Sequence, residues 1–449
     1  MSSITENRSV MGNRLLAVVF LVLLTLADNI LTNALPIALG SVPPQVPGYW
    51  NLTTTALILS TVSDLIGQHI LIPVTYHYGS RYAMNLNSLS VLIASLFSLA
   101  SLFWKANGLA WVPAIAGTFK IIGGGAHAAI FLTIVLIRKS SSGSLRAALI
   151  YTTGAAVVLC QTIASTVTPF LARQSPTLPY IFSIAFCALA GAVTTVYHAA
   201  SSPASDRECA NDPSTQPLLL HVAASQNPHP TTSWELVKIH YARWSNKASI
   251  TRKVLKLIGL IFFLAAVAKA TRPLFITYIQ HRVGVTPEFA SYLWLVRIVM
   301  SLVIFIVALP LVVAVLAKYT PNTPDAINLY MAKISVILLT TGALLIGLAR
   351  SKPVLISGLV INTLGVATDL ALLAFAADVV TDDLANCFFM TIASLESAGT
   401  LFGIVLLYPL YQFGLQDDTI FGGIPYYICA GLFTIAGVAV WMMKPRVTY

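Results

Sequence analysis

Four acids and four bases stand inside long apolar runs of this sequence. The acids are Asp28, Asp64, Asp369 and Glu396, and the bases are Lys120, Lys269, Arg272 and Arg297. A charge held in hydrocarbon is costly, so each marks a place where polar chemistry is concentrated. Four against four sums to zero, as mutual pairing would give. The neighbours of these charges repeat at helical spacing. Asp28 lies among Thr25, Asn29 and Thr32, and Asp64 lies between Ser60 and Gln68 at steps of four. Glu396 sits with Ser394, Ser397 and Thr400, and Lys120 shares one helical side with Gly124 and His127. Lys269 and Arg272 are one turn apart. Two readings fit these patterns. One is a water-accessible cavity lined by ionisable side chains. The other is a set of structural ion pairs and helix–helix hydrogen bonds.

The elements that position these residues follow from composition. The chain has 449 residues, of which 57% are hydrophobic and only 9% are charged. So few charges cannot cover a soluble fold, which excludes a soluble enzyme or a disordered protein. The apolar runs are about 20 residues or longer and lack the alternation of a membrane barrel, so they predict helices. Twelve spans are expected, near 15–39, 53–75, 83–104, 109–137, 146–171, 178–199, 255–279, 289–316, 329–349, 353–377, 384–408 and 424–443. Residues 200–252 interrupt them with a Pro- and Ser-rich stretch that cannot sit in lipid. The expected class is therefore an all-α membrane protein of two six-helix bundles, 1–199 and 253–449, joined by a polar cytoplasmic linker. The third helix of each triplet carries no mid-span charge and is expected to face lipid.

The 26 Lys and Arg residues set the expected orientation. With both termini in the cytoplasm, 17 lie inside, five outside and four within spans. The net charge of +10 then faces anionic inner-leaflet lipid, and no nucleic-acid partner is needed. The five Cys show no metal-ligand spacing, the eight His form no metal or His/Asp constellation, and no phosphate-binding loop occurs. No metal or cofactor is expected. The Gly123–Gly125 run reads as a close helix contact or as backbone exposed to a ligand. Asn51 begins an outward-facing glycosylation sequon.

This pattern resembles the major facilitator superfamily. The superfamily's motif between the second and third helices matches here at Gly79 and Arg81, within Ile72 to Arg81. Tyr76 and His77 stand where that motif has Asp and Arg. Gly154 is the only glycine between Ala148 and Ala172, so the antiporter motif of the fifth helix is not recovered. The stretch Ile327 to Ser335, the segment Leu359 to Gly365 and the Leu395–Glu396–Ser397 triplet are similar to fungal members that move small organic molecules. The resemblance implies a secondary transporter, functional as a monomer, in the plasma membrane. It implies a cavity lined by helices 1, 4, 7 and 10, with Asp28, Asn29, Thr32, Lys120, Lys269 and Arg272 toward the substrate. A basic lining would suit an anion. Glu396, Asp64 and Asp28 are the expected proton carriers. Gly79, Arg81, Arg297 and Asp369 take structural or gating roles. Export of a secondary metabolite or drug-like compound against proton entry is the first expectation, and proton-coupled uptake the second. A membrane-embedded enzyme lacks its constellation here, and a non-transporting sensor lacks long tails. Asp28 is expected to pair with Lys269 or Arg272.

One test follows from composition alone. Shortening residues 204–232 is expected to leave membrane insertion and monodispersity intact, because a polar Pro-rich linker joins bundles that bury their own faces. Loss of folded protein on size-exclusion chromatography would contradict the hinge.

Overall fold

The computed structural model describes residues 2–39, 52–106, 112–141, 143–200, 249–271, 275–319, 324–380, 382–415 and 420–444. Asn51, Arg272 and the linker from 201 to 248 lie outside them. In the first half, α1 is Ser2–Leu39, α2 Leu52–His77 and α3 Ser80–Ala106. Helix α4 runs as Val112–Ile115, a 3-10 stretch Ala116–Ile122 and Gly125–Ser140. Helices α5 and α6 are Gly143–Gln174 and Leu178–Ala200.

The second half repeats the order. Helix α7 is Ser249–Lys269, resuming as Phe275–Val283. Helix α8 joins Pro287–Val303 and Leu309–Tyr319 through a π turn, Ile304–Ala308. Helix α9 is Pro324–Leu348. Helix α10 runs as Lys352–Leu364, a 3-10 turn Gly365–Ala367 and Thr368–Val379. Helices α11 and α12 are Asp382–Leu415 and Ile424–Trp441.

Among the described residues, 11 helices are long and apolar enough to cross a membrane. The first piece of α7 falls short because Arg252, Lys253, Lys256 and Lys269 crowd its 21 residues. The packing repeats with the order. Helix α1 packs on α5 and α6, and α7 packs on α11 and α12. Likewise α3 packs on α6, and α9 on α12. The halves meet where α2 and α4 touch α11, and where α5 touches α8 and α10. Helices α3, α6, α9 and α12 expose apolar side chains such as Leu96, Phe182, Ile337 and Val438, as an outer face against lipid requires.

The 3-10 stretches in α4 and α10 correct the expectation of unbroken fourth and tenth spans. Gly124 and Gly125 have φ of +72° and +64°, a left-handed conformation that costs glycine little. Gly123 lies so close to α3 that a Cβ there would sit 2.5 Å from Asn87 Cα. In α10 the equivalent break falls at Gly365, where a Cβ would meet Leu339 N and Ser335 O at 2.6 Å. The glycine run therefore both admits a neighbouring helix and ends the 3-10 winding.

Gly123→Val is expected to destabilise the protein by about 1–3 kcal/mol, because backbone of α3 must shift. Gly431→Ala is the control, since nothing lies within 4 Å of that position. Thermal unfolding in detergent checks the pair: a lowered midpoint for the first and none for the second.

Candidate functional site

The break in α4 builds the first charged cluster. Its second piece begins at Gly125, and the free amides of a helix start favour a carboxylate. Asp28 of α1 supplies one: Ala126 N–H donates to its Oδ2 at 2.9 Å. The other oxygen, Oδ1, is 2.5 Å from Lys120 Nζ. Lys120 is 3% exposed, so this ion pair is closed off from solvent. Asp64 of α2 lies at the same break, its Oδ1 2.6 Å from where a Gly125 Cβ would stand. Asn87 of α3 donates to Gly125 O at 3.0 Å.

The second cluster sits at the equivalent place in the other half. Lys269 of α7 is ion-paired with Asp369 Oδ2, and with Glu396 Oε1 of α11 at 3.1 Å. Asp369 stands in the first turn of the second piece of α10, again at a helix start. Arg297 of α8 is 3.3 Å from Asn362 Oδ1. Both line a small recess with Lys269 and Asp369.

Between the halves lies a cavity of about 340 Å³. Its first-half wall carries His127, Phe131, Ile134, Thr153, Val158 and Gln161. Its second-half wall carries Phe262, Phe305, Leu370, Leu373 and Ile404. Lys269, Asp369, Glu396 and Thr400 bring the charged groups to the second-half wall, facing His127, Thr153 and Gln161 among apolar side chains. A mostly apolar lining with a few convergent polar groups is the usual make-up of a small-molecule pocket.

Two polar seams join the halves. Gln68 Nε2 of α2 donates to Ser397 Oγ of α11 at 2.9 Å, and His69 Nδ1 is 3.3 Å from Ser394 Oγ. At the end carrying the α4–α5 turn, Arg138 and Arg146 reach across to the last turn of α10. Arg138 Nε and Arg146 Nη1 each donate to Ala377 O at 2.9 Å, and Arg138 Nη2 donates to Val380 O. Arg146 also pairs with Asp378 at 3.0 Å, and Tyr151 OH donates to Asn328 Oδ1 at 2.7 Å. A helix C-terminus carries unpaired carbonyls and partial negative charge, so two guanidinium groups fasten well there.

No family model matches the sequence, and no curated protein matches it significantly. Solved structures match nearly end to end. The proton:xylose symporter XylE, from E. coli, is 14% identical over 98% of this chain and 96% of its own, with a TM-score of 0.70. The human organic anion transporter MFSD10 is 17% identical over 96% and 99%, with a TM-score of 0.66. A bacterial homologue of the iron transporter ferroportin is 9% identical over 96% and 98%, with a TM-score of 0.64. The chain has the major facilitator fold.

Within the major facilitator fold the residues singled out by sequence separate. Lys269, Asp369 and Glu396 reach the cavity. Asp28 and Lys120 close on each other inside the first bundle and do not line it, nor do Asn29 and Thr32. The cavity differs from the expected lining by helices 1, 4, 7 and 10: among the described residues none of α1 lines it, while α5 and α11 contribute. The Asp28–Lys120 ion pair corrects the expected pairing of Asp28 with Lys269, because each lysine is held within its own half. Gly79 forms the α2–α3 turn with φ of +85°, and Arg81 is half-buried beside it. The arginine seam was not foreseen. Arg138 and Arg146 entered the sequence reading only as cytoplasmic charge, although their place on either side of a short turn was its one signal. Among the described residues no group of His, Cys, Asp and Glu could hold a metal ion.

Lys269 is shared, so its two acids should act non-additively. Asp369→Asn and Glu396→Gln each leave it one of the two carboxylates. The double variant removes both and is expected to cost more than the two singles summed, by about 1–3 kcal/mol. Thermal unfolding of the three variants checks this, and simple additivity would contradict a shared lysine.

Proposed function

We propose that the chain is a secondary transporter that moves a small organic molecule by alternating access, with export coupled to protons. The observation that carries this reading is the cavity at the seam of two repeated bundles, walled by both and charged on its second-half wall. A site that belongs to both halves changes its exposure when one half rocks against the other. The arginine seam at Ala377 and Asp378 then serves as a latch on one side of the membrane. The excess of Lys and Arg on that side supports a cytoplasmic position for it and for both termini.

The lining argues for a mostly apolar substrate with one polar end rather than for an anion. Of the three bases expected to line it, Lys120 is engaged with Asp28 away from the cavity, Lys269 is shared by two acids, and Arg272 lies outside the described residues. The similarity to fungal carriers of small organic molecules supports a secondary-metabolite or drug-like compound. The buried carboxyls Asp28 and Asp64 and the half-buried Glu396 support proton coupling, because a carboxyl that alternates between dry and wet surroundings alternates in proton affinity. XylE, a proton symporter by name, shares the fold with the organic anion transporter MFSD10, so uptake remains the second reading for direction.

Purified protein in liposomes, given a panel of amphipathic organic compounds and an imposed pH gradient, tests the proposal. Gradient-driven flux that a protonophore collapses is expected. Val158→Trp, which fills the cavity from the α5 wall, should cut that flux at least about tenfold without lowering thermal stability. No flux for any compound, or flux indifferent to both the gradient and the Trp, would overturn the reading.

A further inference from the structure

The carboxyl of Asp64 differs from the other acids buried in the spans. Asp28 is held by Lys120 and by the Ala126 amide, and Asp369 and Glu396 are held by Lys269. Asp64 Oδ1 is buried and receives no hydrogen bond among the described residues. Two further buried oxygens nearby also lack a donor, Gln68 Oε1 and Asn87 Oδ1. Gln68 and Asn87 are fully buried, and each uses its amide N–H elsewhere, Gln68 on Ser397 and Asn87 on Gly125. These three oxygens thus stand without a donor, the Lys120 ammonium being directed at Asp28. The place also holds two carboxylates and one ammonium, which sum to −1.

We propose that Asp64 carries one exchangeable proton and that Gln68 passes its presence to the α2–α11 seam. This deepens the transport reading and rests on it for its purpose. A proton corrects both deficits at once. It brings the Asp28–Asp64–Lys120 group to neutrality and turns one acceptor into an O–H donor. Gln68 stands four residues after Asp64 on the same face of α2, the spacing at which Asp and Gln side chains meet. The Asp64 O–H then donates to Gln68 Oε1. That leaves the amide N–H directed at Ser397, the contact the structure shows. When the proton leaves, the carboxylate competes for that same N–H, Ser397 loses its donor, and a net negative charge stands behind a dry seam. Water entering between α2 and α11 relieves it, so ionisation favours separation of the halves there.

A metal ion fits less well. The Lys120 ammonium already occupies the oxygen cluster and would repel it. The charged and titratable groups that face Asp64 are Asp28 from α1 and Lys120 and His127 from α4. Cys187 of α6 lies against Asp28 and Lys120. At the seam α11 presents Ser394 and Ser397, which do not titrate in this range, and α2 presents His69, 3.3 Å from Ser394 Oγ, so His69→Gln must leave the response in place.

Spin labels at Tyr82 and Tyr330, both exposed and in different halves at the arginine-seam end, read the separation in the full chain in lipid nanodiscs. The distance distribution of the otherwise native protein is expected to shift between about pH 5 and about pH 8. Asp64→Asn should hold the low-pH distribution throughout. Gln68→Leu and Ser397→Ala should flatten the response, and they decide the matter if Asp64→Asn does not fold. A distribution indifferent to pH, or a shift driven by sodium at constant pH instead, overturns the proposal. A full response in Asp64→Asn removes that residue as carrier, and one in Gln68→Leu removes the relay. An intact pH response in a protein that moves no compound refutes the transport reading and leaves the proton site standing.

Discussion

A charge inside a membrane-spanning bundle must find its counter-charge within reach, because the surroundings offer nothing else to solvate it. Both halves meet this constraint around one lysine. In the first, the acid stands on α1 and the base on α4, Asp28 with Lys120. In the second, the base stands on α7 and the acid on α10, Lys269 with Asp369. The positions correspond and the signs are exchanged. Each half then adds a second carboxyl, Asp64 or Glu396, from a helix at the seam.

The helix breaks follow from the same constraint. An interrupted helix offers free amides at the start of its second piece, and Asp28 uses such a start at Ala126, while Asp369 stands in the first turn after the 3-10 stretch of its own helix. The glycines that permit the breaks also let neighbouring helices approach, so one local choice serves charge and packing together. What differs between the halves is access. The first cluster is sealed among α1, α2, α3 and α4, while the second forms the polar part of the cavity wall. The two clusters are thereby kept in separate halves, and the Gln68–Ser397 hydrogen bond joins those halves between α2 and α11.

Much of this was legible in the sequence, and the limits have physical reasons. Span length and the polar interruption at mid-chain revealed the helices and the two halves. Intolerance of charge in lipid picked out Asp28, Lys120, Lys269, Asp369 and Glu396 before any contact was known. Their partners were not legible, since partner choice depends on how each helix is rotated. The fourth span shows why. Read as an unbroken α-helix, it puts Lys120, Gly124 and His127 on one side. The 3-10 winding through Lys120 advances each residue about 20° further than an α-helix does, and the left-handed glycines turn the chain again. Lys120 consequently points into its own bundle and His127 into the cavity. The arginine seam escaped notice because its acceptors are mainly backbone carbonyls of α10, and carbonyls leave no mark in a sequence.

The most direct test of the account is a pair of double-mutant cycles read by thermal stability in one detergent. Asp28→Asn with Lys120→Met probes the pair within a half. Asp28→Asn with Lys269→Met probes the alternative across the seam. Breaking a buried pair from one side costs about 3–5 kcal/mol, so the first cycle is expected to show the double variant recovering much of that loss. The second cycle should show simple additivity. Recovery in the cycle across the seam, with additivity within the half, would contradict the account.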